Sequence, residues 1–202
     1  MRAGRRRLIH MSTRSLGIAA ALALAAAPGT AAAEQPHATS LSAEGDVTRL
    51  ALGSLSFHLM VRPARFPRLR VGVGRVGGAL PRLFHTLFDP NEGWSVTEQG
   101  GAAQAFLHHR ARGSTWFAGV YARFDRWEWR RNDAMGADTG AQLFIVPSAG
   151  YRWFPSRSGV FVTPWAGLGV SVWNSGAGQV GAHTYDPLRL FPIVAIHVGY
   201  EG

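Results

Sequence analysis

The chain of 202 residues contains no cysteine and no lysine, and it carries only 12 acidic side chains. The lack of cysteine excludes thiolate metal sites, thiol nucleophiles and disulfide staples. Stability must therefore come from burial or from a closed hydrogen-bond ladder. The lack of lysine removes the usual nucleic-acid-binding tail, since all 21 basic residues are arginine. Alternation such as Arg68-Leu69-Arg70-Val71 is the one ribbon that would suit RNA, but an exported protein rarely meets nucleic acid, so no nucleic-acid partner is expected. Beyond the first 33 positions no segment has the roughly 20 consecutive apolar residues that a membrane-crossing helix needs.

The first 33 residues have the organisation of a secretory signal. Arg2, Arg5, Arg6, Arg7 and Arg14 form a basic lead, Leu16 to Ala27 is apolar and Ala-rich, and Pro28-Gly29 interrupts it. Ala31-x-Ala33 then fits a cleavage site before Glu34. Gly4-Arg5-Arg6-Arg7 loosely resembles a twin-arginine export motif, although Met11 offers a second start that would delete those arginines. Five arginines precede Glu34 and no acidic residue does, so residues 34–202 hold 16 arginines against 12 acids, a balance of +4. The strongly basic character of the whole chain belongs largely to the leader.

The remaining chain of about 169 residues is rich in glycine, with 25 in all, and in interrupted two-residue periodicity. Its last segment is the clearest. Leu188, Leu190, Pro192, Val194, Ile196, Val198 and Tyr200 share one face, opposite Arg189, Phe191, Ile193, Ala195, His197 and Gly199. A strand with one wholly apolar face and one mixed face suits a wall between hydrocarbon and a lumen. The same pattern predicts strands over Thr48–Arg62, Arg68–Gly77, Gly101–His109, Thr115–Arg131, Ala137–Trp153 and Gly159–Asn174. Trp127, Trp129, Arg130 and Arg131 have the composition of a membrane interface. Leu80 to Phe88 instead carries apolar residues at helical spacing, which predicts a short amphipathic helix in a loop.

Connections near 63–67, 110–114 and 154–158 are short, and those near 78–98, 131–137 and 174–187 longer. In outer-membrane barrels short turns face the periplasm and long loops face out. With the last strand ending in the periplasm, one strand is missing before Thr48, and the even-number rule asks for it as well. It is expected in a poorly patterned stretch between about 36 and 50. The expected fold is thus all-β: an antiparallel, eight-stranded up-and-down transmembrane barrel. Residues 1–33 form the signal peptide, 34–47 a weakly ordered lead or poor first strand, and 48–202 the barrel domain.

The chain resembles a group of small, largely uncharacterised bacterial outer-membrane β-barrel proteins. The resemblance rests on Arg62-Pro63-x-x-Phe66-Pro67 followed by Leu69-x-Val71-Gly72-Val73-Gly74, on Gly150-Tyr151-Arg152-Trp153-Phe154, on Pro164-Trp165-x-Gly167-Leu168-Gly169 and on His197-x-Gly199-Tyr200. It covers most of residues 48–202 and implies a fold and an outer-membrane location. It brings no catalytic residues, and it differs from the usual outer-membrane ending in that Glu201 and Gly202 follow the aromatic.

Chemistry-bearing residues are few. Ser54, Ser56 and His58 fall on one strand face, as a lipid A acyl hydrolase would need. Same-face neighbours on a strand lie nearly 7 Å apart and no acid shares the strand, so a lumen-lining polar face is the preferred reading. His108 and His109 point to opposite faces and cannot share a metal; His183 and Asp186 lie in an outer loop. Arg68, Arg70, Arg152 and Arg189, with Asp138 and Gln142, are expected in the lumen as an interlocked network. Outer loops at Gly77–Ser95 and Gly176–Asp186 would hold any partner specificity. No catalytic, metal or cofactor-binding residue is assigned. The expected partners are outer-membrane lipid and the barrel-assembly machinery, with no specific ligand named. The expected role is non-enzymatic, in envelope structure or loop-mediated interaction; the alternatives are a lipid A-modifying hydrolase of the same architecture, or a soluble periplasmic lipocalin-like binder with its apolar faces inward.

Overall fold

The computed structural model describes residues 38–79 and 93–202, and the leader and the segment at Leu80–Phe88 lie outside them. Strands β1 (Ser40–Asp46), β2 (Ser54–Arg62), β3 (Leu69–Ala79), β4 (Trp94–His108), β5 (Thr115–Arg131), β6 (Asp138–Arg152) and β7 (Val160–Asn174) follow in order. A two-stranded hairpin, β8 (Gly178–Val180) with β9 (His183–Tyr185), precedes the last strand, β10 (Leu190–Glu201). Excluding that hairpin, each strand pairs antiparallel with its neighbour, and β10 closes on β1 through pairs such as Ala43 with Tyr200. The protein is an all-β, closed eight-stranded barrel with one short helix among the described residues.

That helix, α1 (Val47–Ala51), replaces the first part of the strand expected over Thr48–Arg62. Its cause is local. The Asp46 side chain accepts from the Arg49 backbone N–H at 3.1 Å as an N-cap, and Gly53 follows the helix with φ 85°, a left-handed ending that glycine adopts without steric cost. Strand β1 supplies the member needed before α1. Its outward positions, Leu41, Ala43 and Gly45, include two small residues and one large one, which explains its faint pattern.

Short connections of residues 63–68, 109–114 and 153–159 gather at one end, here the lower end. The upper end carries α1, residues 132–137, and the connection bearing β8 and β9.

Around the lower and middle barrel, large apolar side chains face out. Leu55, Phe57 and Leu59 do so on β2, Val71 and Val73 on β3, Leu168 and Val170 on β7, and Val194, Ile196 and Val198 on β10, all exposed. On β5 this run extends from Trp116 to Phe124. Eight residue steps at about 3.4 Å, tilted by the roughly 40° usual for such barrels, give a band about 20 Å tall, approaching the roughly 25 Å apolar band of outer-membrane barrels. Trp116 and Tyr151 pack at 4.7 Å toward its lower edge, and Phe124 stacks on Trp173 at 6.2 Å toward its upper edge.

Above that band the polarity reverses. Ser95, Thr97 and Gln99 on β4 and Arg126, Glu128 and Arg130 on β5 turn outward, while Trp94, Val96, Trp127 and Trp129 turn in and are buried. Trp127 and Trp129 therefore belong to the interior and form no interfacial girdle. The reversal also explains why β4 begins at Trp94, seven residues before the strand expected from Gly101: the early part presents polar residues outward. The outer loop expected over Gly77–Ser95 is shorter at both ends, because β3 runs to Ala79.

Candidate functional site

The lower lumen is crossed by ion pairs centred on Glu201, beside a recess of about 340 Å³ at the short-turn end. Arg70 reaches its carboxylate at 3.1 Å and Arg152 at 3.3 Å. Ser40 Oγ donates to it at 2.8 Å, and the same oxygen accepts from Arg62 Nε at 3.0 Å. Arg152 also donates to Glu44 at 3.0 Å and lies 4.0 Å above the Phe161 ring. These contacts tie β1, β2, β3, β6 and β10 together across the lumen. Arg70 and Arg152 are where the expected network placed them, whereas Arg68 and Arg189 lie in connections and are exposed. β10 begins only at Leu190, so Leu188 turns partly inward against the upper core. Gln142 is interior; Asp138 accepts from Gln179 N at 2.7 Å and steadies the loop hairpin. Glu201, a departure from the usual ending when read in sequence, is the hub of the network.

A second cluster lies higher. Arg123 donates to Asp125 at 2.6 Å and to Glu98 at 3.2 Å, and α1 sends Arg49 inward to Glu98 as well. Both acids are fully buried. Nothing in the period-two pattern marks these residues as partners, because the contacts run between strands and from a helix read as strand.

Between the clusters sits a group of aromatic and imidazole rings. Trp165 Nε1 donates to His197 Nε2 at 3.0 Å. The His197 proton is thereby assigned to Nδ1, which donates to Glu44 at 3.2 Å. His58 stacks on His197 at 5.1 Å. Ser56 Oγ lies 2.7 Å from His58 Nε2, so the strand twist and two side-chain rotations bridge the spacing that argued against their meeting. The nucleophile–base contact is present, but among the described residues no third member holds His58. His58 Nδ1 has no hydrogen-bond partner among the described residues and packs over Gly74, where a Cβ would collide with the ring. Glu44 pairs opposite His58 in the sheet, yet its oxygens serve His197 and Arg152. Ser54 Oγ is buried without a hydrogen-bond partner among the described residues.

The other histidines stay apart. His108 is interior and packs 5.1 Å from Phe117, while His109 is exposed in the lower turn. His183 and Asp186 are exposed in the upper connection. Among the described residues, no three His, Asp or Glu side chains converge as metal ligands. In the loop above β5, the Arg131 guanidinium bound to Asp133 at 2.7 Å holds that carboxyl below its ordinary range.

A cavity of about 410 Å³ opens above His58 and His197. Trp127, Phe144 and Phe191 line its upper wall, and Tyr185 covers it. Tyr185 stacks on Trp129 and meets Trp94 edge-on, both at 5.5 Å. Gly178 permits this cover, since a Cβ there would strike the Trp129 ring.

No family model matches the chain, and no curated protein matches it. Among solved structures the chain is similar to a major outer membrane protein from Thermus thermophilus. That likeness has 12% identity and a TM-score of 0.50, and covers 82% of this chain and 100% of the other. At that identity it bears on the fold, the closed barrel described above.

Proposed function

We propose that the chain is a non-enzymatic β-barrel of the bacterial outer membrane, exported with residues 1–33 removed and inserted by barrel-assembly machinery. Its role is to support the envelope or to present its upper loops to a partner. The observation that carries this reading is the pair of opposed polarities: apolar outside and charged inside across one band, polar outside and aromatic inside above it. A lipocalin-like binder would keep its arginines out, whereas Arg62, Arg70, Arg123 and Arg152 are buried within. The short-turn end faces the periplasm in this reading, and the ion pairs that cross the lower lumen favour a plug over a conduit. Membrane fractionation tests it. Most of the protein is expected with the outer membranes, starting near Glu34, and recovery of the folded protein in a detergent-free periplasmic extract would overturn the assignment.

A second reading, an acyl hydrolase, is favoured by the 2.7 Å contact of Ser56 with His58 at the cavity floor. It is weakened because, among the described residues, no carboxylate hydrogen-bonds His58 Nδ1 to orient the ring, Glu44 being engaged by His197 and Arg152. Lipid A mass spectrometry separates the two. Cells expressing the wild type and Ser56→Ala are expected to give the same profile; an acyl chain lost only with the wild type would favour the hydrolase.

A further inference from the structure

The cavity touches both faces of one strand. Phe191, Ile193 and Ala195, on the inner face of β10, line it, and so do Pro192 and Val194, whose side chains belong to the outer face. A cavity reaches both sides of a sheet only by passing around an unpaired edge. Such an edge is present. The β1–β10 ladder ends at Asp46 with His197, and among the described residues no strand pairs with β10 on that side from Val194 to Leu190. Even-numbered residues of β10 direct their backbone groups to this side, as the Gly202–Leu41 exchange and the bond from Ile196 N to Thr48 Oγ1 fix. Pro192, with no N–H to leave unpaired, stands in the open stretch, where a proline within a paired ladder would cost a bond. The gap is bounded on its far side by Thr48 and Leu52 of the α1 segment.

This opening lies in the apolar outer run of β10, with Leu190 on one side and Ile196 and Val198 on the other. Only an apolar group would pass between them. At about 410 Å³, well above the roughly 150 Å³ of a cavity that takes one benzene, the space has room for one slender chain. Phe144 and Phe191 supply the apolar contact within. We infer that the cavity takes a single acyl chain through the gap between β10 and α1, from the lipid beside the barrel; the inference rests on the membrane reading above.

The full chain refolded into phospholipid nanodiscs provides the test. One sample holds a phospholipid with a photoactivatable diazirine in mid-chain, the other a free diazirine-bearing fatty acid, and crosslinks are mapped by peptide mass spectrometry. Labelling is expected on interior Phe144, Phe191 or Ala195 as well as on outward Leu168 and Val170. Ala195→Phe, which fills the cavity, is expected to lower the interior label at least fivefold and leave the outward label unchanged. Interior label from the phospholipid identifies the bilayer as the source, and interior label from the free acid alone identifies an unesterified chain. Outward label with no interior label from either probe overturns the acyl site while leaving the membrane reading intact. No label on either face overturns both.

Discussion

Glu201 is the residue whose surroundings make the sharpest energetic statement. Its carboxylate faces Arg70 and Arg152, and Arg70 is almost wholly enclosed. A buried ion pair is a weak source of net stability, because desolvation offsets most of the attraction, but removing one member leaves a charge without a counter-charge. Glu201→Leu is therefore expected to destabilise the folded barrel by about 3 kcal/mol. The double variant Glu201→Leu with Arg70→Met should recover a large part of that loss, because both charges then leave together. Urea unfolding of the protein refolded in lipid, followed by tryptophan fluorescence, measures both. A double variant at least as unstable as the single would show that Glu201 acts through something other than its pairing with Arg70.

At the scale of elements, the outer band and the upper rim predict opposite tolerance to charge. Val120 is the middle outward residue of the Trp116–Phe124 run on β5, and Thr97 faces out above the band, opposite Glu128. Val120→Arg is expected to cost about 2–4 kcal/mol and Thr97→Arg about 0–1 kcal/mol, the depth dependence seen for arginine on lipid-facing barrel walls. Equal costs in the same unfolding assay would contradict the band's position. The strands that sequence revealed are those within this band, such as β7 and β10, where lipid and lumen impose opposite polarities on alternate residues. β4 was half legible because its upper residues obey the reverse rule, and Trp127 and Trp129 were misread for the same reason. α1 was hidden because its one-turn helix is set locally by Asp46 and Gly53 and is too short to show a helical period; Arg49, Leu50 and Leu52, which break the alternation of β2, were its only trace. Of the candidate site, Arg70, Arg152 and the Ser56–His58 face were visible as residues on one side of a strand. The cavity was not, because it depends on where β1 stops, and only Pro192 hints in sequence at an unpaired edge.

For the whole molecule, the central claim is that the apolar band lies in a bilayer with the upper rim outside and the short turns in the periplasm. The absence of cysteine makes each single-cysteine variant an unambiguous reporter. Thr97→Cys, Leu168→Cys and Ala64→Cys place a thiol on the upper rim, in the band and in a lower turn. The decisive measurement is labelling of these three variants by a membrane-impermeant maleimide in intact cells and again after outer-membrane permeabilisation. Thr97→Cys is expected to react in intact cells, Ala64→Cys only after permeabilisation, and Leu168→Cys in neither state until detergent or denaturant exposes it. Reaction of Leu168→Cys as fast as Thr97→Cys in intact cells, or as fast as Ala64→Cys after permeabilisation, would contradict the account.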